Sequence, residues 1–260
     1  MHRMQIILLP GMDGTGEMFA PLLKAIPTQQ SVRVIAYPAD PSLGYDELLE
    51  RVEKELAGEE SFVLLAESFS GPLAVRFAAK HPQRVRALIL CVSFVRFPLS
   101  RVLVMLAGAA GRLPPPGWAL RWLLAGWKAS GETMDLLRRA IRQVGRSVLI
   151  RRIGEAARVD ARDDLERIRA PMLYLGAVHD RLVTSKRRRE ISAIRPDLRV
   201  HKIDAPHLLL QTAPAEVWSA IAAFLDGLNL STRNHEQEGN ATEESGKSDP
   251  VLLGRLAGDD

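Results

Sequence analysis

Phe62-Val-Leu-Leu-Ala-Glu-Ser-Phe-Ser-Gly-Pro-Leu-Ala-Val-Arg-Phe-Ala-Ala-Lys80 decides the fold. Phe62 to Ala66 is a short apolar run rich in branched side chains, as expected of a buried strand. From Pro72 to Lys80, Leu73, Ala74 and Phe77 recur at helical spacing, and His81-Pro82 closes the helix. Only Glu67 to Gly71 remain to connect the two. A strand that passes into a helix this sharply holds the residue at the turn in a strained backbone conformation and lifts its side chain off the end of the sheet. Side chains two before and two after it must be small, because strand and helix nearly touch there. Ala66 and Ser70 fill those places, with Gly71 one further, and Ser68 is therefore the lifted residue. Ser70 is the competing hydroxyl, with neighbours that fit the turn less well, and a plain helix N-cap is the structural alternative for Ser68.

The same alternation extends in both directions. Gln5 to Leu9 is an apolar run ended by Pro10-Gly11, and Val32 to Ala36 is a second, ended by Pro38. Val85 to Val92, Pro171 to Ala177 and Arg199 to Ile203 complete six strands. Asp46 to Ala57 carries Leu48, Leu49, Val52 and Leu56 on one helical face, and Pro214 to Leu225 aligns Val217, Ile221 and Phe224. Short apolar strands alternating with helices predict an α/β fold whose mostly parallel central sheet is covered by helices on both faces. Ligands of such sheets sit outside the carboxyl ends of the strands.

The alternation stops between about residues 98 and 164, which read as two or more helices interrupted by Leu113-Pro-Pro-Pro-Gly117. A helical insertion there is expected to lie over the carboxyl edge as a lid, with the core formed by 1–97 and 165–230. Trp118, Trp122, Leu123, Leu124 and Trp127 form an apolar stripe, read as packing ahead of substrate contact. Residues 231–260 are polar and predicted to be disordered.

Composition excludes several classes. Of 260 residues, 47% are hydrophobic and 25% charged, which suits a sizeable core and a soluble surface. The single cysteine, Cys91, excludes an internal disulfide and a thiolate metal cluster, and lies in a strand as a small hydrophobe. The apolar run near the N-terminus is too short for a signal peptide, and Val102 to Ala110 is too short to span a bilayer. A cytoplasmic location without stable membrane insertion is expected. The net charge of +4 comes largely from arginines between Arg96 and Arg152. These read as the solvated faces of amphipathic helices, since no nucleic-acid-binding motif accompanies them, and no nucleic acid partner is expected.

Leu64-Leu-Ala-Glu-Ser68-Phe-Ser-Gly71 resembles the G-x-S-x-G nucleophile elbow of the α/β-hydrolases, with both glycines replaced by the next smallest side chains. That resemblance implies a histidine base and an acid, following the serine in the order Ser, acid, His. Met172-Leu-Tyr-Leu-Gly-Ala-Val-His-Asp180 resembles the family's acid-bearing strand and loop, which makes Asp180 the acid. An aspartate in a polar turn is its structural alternative, and Asp163 and Asp164 lie before the strand. Ala205-Pro-His207 follows the last strand. His207 occupies the family's histidine loop, with Pro206 and Gln211 standing in for its usual glycine and glutamate. His201 lies inside a strand, His179 beside the acid, His81 at a helix end, and His2 and His235 near the termini.

Pro10-Gly-Met-Asp-Gly-Thr-Gly16 follows the first strand. Its spacing is G-x-x-G-x-G with no following Gly-Lys-Ser/Thr, and no suitable acid ends the next strand, which disfavours phosphate and dinucleotide binding. In the hydrolase resemblance the Met12 and Phe69 N–H groups are the oxyanion donors. Asp13 either caps the following helix or organises the loop. Leu8 to Gly16 resembles the subset that includes the esterase-like domain of phytyl ester synthases. The resemblance implies a serine carboxylesterase acting on short to medium acyl chains through an acyl-enzyme, with no metal or organic cofactor and a small ester as its partner. Thioesterase, lactonase, lipase, acyltransferase and cofactor-free perhydrolase chemistry share the same triad. A non-catalytic binding protein of this fold would have a damaged triad. The sequence sets no oligomeric state.

Overall fold

The six strands form one sheet in a computed structural model that describes residues 4–97, 117–126 and 129–228. They are β1 (Ile6–Leu9), β2 (Val32–Val34), β3 (Phe62–Glu67), β4 (Val85–Cys91), β5 (Met172–Ala177) and β6 (Arg199–Ile203), in the spatial order β2-β1-β3-β4-β5-β6. Every pairing is parallel. Every residue of β1 and β3 is buried, which is why Ile6–Leu9 and Phe62–Ala66 read as unbroken apolar runs. Edge strand β6 is exposed except at Ile203.

The chain starts at β1, goes outward to β2, then crosses back to β3 on the other side of β1. That reversal opens a crevice at the carboxyl ends of β1 and β3, where such sheets bind ligands. Leu9 stands beside Ala66, so the loop after β1 emerges next to the turn after β3. Strand β2 is shorter than expected. Ile35 still donates to the Leu8 carbonyl, but the Tyr37 N–H donates to the Gly14 carbonyl at 2.7 Å, which draws the chain off the edge toward that loop.

Helices α1 (Ala20–Ala25), α2 (Tyr45–Glu55), α3 (Gly71–Lys80), α4 (Gly131–Val144), α5 (Arg146–Arg158), α6 (Arg162–Arg167) and α7 (Ser185–Ile194) accompany the sheet. Leu48 and Val52 of α2 and Leu73, Ala74 and Phe77 of α3 join β1 and β3 in one cluster. Residues 214–228 form α8. Two units are distinguished, Met1–Ser219 and Ala220–Asp260. The sheet and every candidate site residue belong to the first; in the second, 220–228 are helical with Ile221 and Phe224 buried.

Between β4 and β5 the described residues are helical at 117–125 and in α4, α5 and α6. Ser130 caps α4 by accepting the Thr133 N–H, and Gly145, at φ 78°, separates α4 from α5. α6 lies beside α3 and α7 on the flank of the sheet. The proline run before Gly117, Trp127, His2, His235 and the polar tail fall outside the described residues. Among the described residues no helix is long and apolar enough to cross a membrane.

Two expectations for this stretch fail. Trp118 and Trp122 are exposed, at 71% and 47%, so they are not core residues. The segment has one face to bury, and Leu124 and Ala125 take it by packing with Met18 and Met134. Arg152 is not on a solvated face but 2% exposed. It lies four residues from both Val148 and Ala156, on the buried stripe of α5.

Candidate active site

Ser68 adopts φ 47°, a left-handed conformation that a side chain other than glycine takes only under strain. The strain arises because β3 ends at Glu67, a single 3-10 turn covers Ser68–Ser70, and α3 begins at Gly71. The tightest approach falls on Gly71 rather than on Ser70. A Cβ at Gly71 would lie 1.8 Å from Ser93 Oγ and 2.9 Å from the Phe94 carbonyl. Ser93 itself donates from Oγ to the Ser68 carbonyl at 2.6 Å, and Tyr174 donates to the Ser93 carbonyl at 2.8 Å. Val92, just before, has φ 43°, so the end of β4 is bent to support the turn after β3.

Ser70 is fully buried and its hydroxyl donates to the Pro10 carbonyl, while Tyr37 OH lies 2.6 Å from Ser70 Oγ. Its hydroxyl therefore ties the turn to the loop after β1. Burial pushes the Tyr37 hydroxyl pKa well up, so it stays protonated and can donate to Ser70.

Ser68 Oγ lies 3.0 Å from His207 Nε2, and His207 Nδ1 lies 2.8 Å from Asp180 Oδ2. The other Asp180 oxygen accepts the Leu182 and Val183 N–H groups, each at 2.8 Å. The His207 and Asp180 side chains are 7% and 4% exposed, so little water competes for these bonds. In the tautomer with the proton on Nδ1, that N–H would donate to Asp180 and Nε2 would accept from the Ser68 hydroxyl. Side chains from the loops after β3, β5 and β6 thus form one continuous run of hydrogen bonds. His179 pairs with Asp204 at 2.6 Å and His81 with Glu53 at 2.9 Å, both away from this chain of bonds. Asp163 and Asp164 lie in α6, and Asp164 pairs with Arg76. Cys91 is buried on β4 with its thiol pKa pushed well up by burial.

In the loop after β1, the Gly14 N–H donates to the Gly11 carbonyl at 3.1 Å, which closes a β-turn around Met12 and Asp13. Asp13 organises this loop, accepting the Thr15 N–H at 3.0 Å and the Thr15 hydroxyl at 2.6 Å. Gly14 and Gly16 need their freedom here, at φ 70° and 78°. Phe69 stacks on Tyr45 with ring centroids 4.6 Å apart, and Tyr45 OH donates to the Phe69 carbonyl at 2.7 Å.

Glu67, next to Ser68, is 5% exposed. Burial pushes its pKa up to about 7, against the pull of the Gln211 amide, whose Nε2 donates to Oε1 at 3.0 Å. Gln211 also donates a second bond to the Met18 carbonyl at 3.1 Å. A glutamine at 211 can donate to Glu67 where an ionised glutamate would repel it.

Sequence reasoning missed the supports: Tyr37, Tyr45, Glu67, Ser93, Arg152 and the role of Gln211. Only Arg152 carried a usable signal, an arginine at i, i+4 spacing on an apolar stripe. Among the described residues no three His, Cys, Asp or Glu side chains cluster so as to hold a metal ion.

The fold is that of the α/β-hydrolases. The enol-lactonase from Burkholderia xenovorans LB400 superposes with a TM-score of 0.76 at 17% identity, over 86% of this chain and 92% of that one. A hydrolase from Oleispira antarctica gives 0.76 at 17% identity, covering 86% and 91%. A thermophilic esterase from Thermogutta terrifontis, bound to malate, gives 0.69 at 22% identity, covering 86% and 90%. No protein-family model matches the sequence, and no curated protein matches it either.

Proposed function

We propose that this protein is a serine hydrolase that cleaves carboxylic esters of short to medium acyl chain, with Ser68 as nucleophile, His207 as base and Asp180 as the orienting acid. The reading is carried by one observation: the unbroken run of hydrogen bonds from Ser68 Oγ through His207 to Asp180, at a strained serine on the carboxyl edge of the sheet. His207 Nε2 takes the hydroxyl proton as Ser68 Oγ attacks the acyl carbonyl. The carbonyl electrons move onto oxygen, where the Met12 and Phe69 N–H groups hold the negative charge. His207 then gives its proton to the departing alcohol, leaving an acyl-serine. Water, deprotonated by His207, repeats the sequence and releases the acid. Asp180 keeps the imidazole in the working tautomer and stabilises it when charged. Part of the stretch 98–164 would act as a lid over the site.

The test is hydrolysis of p-nitrophenyl esters from acetyl to palmitoyl by the parent and by Ser68→Ala. We expect turnover in the parent, greatest with short to medium chains, and a loss of about six orders of magnitude in the variant with the fold retained. Activity that survives in Ser68→Ala would move the nucleophile elsewhere. An inactive parent that opens lactones or thioesters would change the substrate class while keeping the triad. The lactone arm is included because an enol-lactonase is among the structural neighbours.

A further inference from the structure

We infer that Arg152 is a positioning residue for the oxyanion hole, by which the insertion between β4 and β5 fixes the backbone on both sides of Ser68. The inference rests on the serine-hydrolase reading and names a residue outside the triad.

Arg152 belongs to α5, 140 positions from the loop it serves. Its three hydrogen bonds among the described residues all run to main-chain carbonyls. Nη1 donates to Met12 O at 2.8 Å and to Asp13 O at 2.7 Å, and Nη2 donates to Pro38 O at 3.0 Å. Taking a guanidinium out of water to serve neutral carbonyls is costly, and burial lowers its pKa accordingly. The Tyr37 ring, 5.7 Å from its centre, and the nearby Asp13 charge offset part of that cost.

The geometry explains what the cost achieves. Each peptide is planar and trans, so its N–H points opposite to its C=O. The Gly11 carbonyl faces inward to Gly14 N–H, which turns the Met12 N–H out of the turn. Arg152 holds the next two carbonyls, Met12 and Asp13, on a single nitrogen. The peptide planes on either side of Met12 are thereby held, the first by the bond between the Gly11 carbonyl and Gly14 and the second by Arg152. Gly14 is part of the same seat, since a Cβ there would lie 2.4 Å from Arg152 Nη1.

The same helix reaches the other donor. Glu155, one turn after Arg152, accepts the Tyr45 N–H at 3.2 Å. Tyr45 in turn holds the Phe69 carbonyl. One face of α5 therefore braces both residues whose N–H groups would face the developing charge.

The test compares the parent with Arg152→Ala and Arg152→Lys in two assays: the rate of Ser68 labelling by a fluorophosphonate, and steady-state hydrolysis of p-nitrophenyl butyrate. Near-UV circular dichroism checks the fold. For Arg152→Ala we expect labelling and kcat to fall about tenfold to hundredfold, as for a misplaced catalytic group, with KM within about twofold of the parent. Arg152→Lys, which can serve fewer carbonyls, should fall between. Added guanidinium should partly restore Arg152→Ala, while methylammonium should not. A folded variant that labels and turns over at the parental rate overturns the inference, as does a change confined to KM. If Arg152→Ala fails to fold, Arg152→Lys decides alone: a parental kcat overturns the inference, and a lowered kcat at unchanged KM supports it. A parent that the fluorophosphonate does not label at Ser68 overturns the hydrolase reading itself, and the inference with it.

Discussion

The two sides of the candidate site are built differently. On the proton-transfer side, Ser68, His207 and Asp180 each sit in a loop directly after a strand, and two hydrogen bonds join them. On the side of the proposed oxyanion donors, Met12 and Phe69 depend on side chains from the residues after β2, the start of α2, the turn after β3 and helix α5. A triad needs three side chains within reach. A backbone N–H has no side chain to aim it, so its position is set by everything that holds its peptide plane. The proton-transfer side should therefore fail abruptly at single positions, and the oxyanion side gradually and at many.

Asp180→Asn should give the steepest fall after loss of the nucleophile. The amide can still accept the Leu182 and Val183 N–H groups, so the loop stays in place while His207 loses its tautomer control. We expect kcat on p-nitrophenyl butyrate to drop about 10⁴-fold. A fall of only a few-fold would remove the contrast between the two sides.

Gly14→Ala should act on the oxyanion side alone. Its Cβ meets the Arg152 guanidinium and its φ of 70° suits glycine. Activity should fall about a hundredfold, and urea unfolding should show a loss of more than about 1 kcal/mol. Full activity would mean that the turn tolerates displacement of Arg152.

Tyr45→Phe deletes the bond to the Phe69 carbonyl but keeps the ring stack, at a cost of about 1 kcal/mol in stability and roughly fivefold in kcat if the bond matters equally in the transition state. Tyr37→Phe should cost less, because Ser70 still donates to the Pro10 carbonyl. The reverse order would place the stronger support on the β1 loop.

The last expected effect is on stability rather than on rate. Burial raises the Glu67 pKa from 4.5 to about 7 in the native state. Between those values the unfolded chain has released this proton while the folded protein retains it. Stability from this group is therefore greatest below the unfolded value, falls as pH rises through that window, and is fully lost above about 7. Glu67→Gln should flatten this fall, measured as the urea midpoint at pH 5 and pH 8. Equal slopes in parent and variant would show that Glu67 ionises as freely in the fold as outside it.

Much of this was legible in the sequence because the signals are local. A buried parallel strand is a run of apolar residues, a helix is a period, and a sharp turn between them leaves only a few places for a serine. The position of all six strands follows from that, with β2 shortened only because Tyr37 leaves the sheet to reach Gly14 and Ser70. The loop placement of Ser68, Asp180 and His207 was readable for the same reason. Local patterning failed for residues with no distinctive neighbours. Trp118 and Trp122 look like core by type, yet Leu124 and Ala125 fill the one buried face. Ser70 looks merely small, yet its hydroxyl links two loops.

The order and spacing of residues along the chain were enough to fix the α/β alternation and the carboxyl-edge loops on which Ser68, Asp180 and His207 meet. The burial of Arg152 on the carbonyls of Met12 and Asp13, and the bracing of the neighbours of Ser68 by Tyr45 and Gln211, came from the folded chain alone. Those contacts join residues 24 to 144 positions apart. No local pattern encodes such a meeting, since it exists only once the sheet has set the distance between its loops.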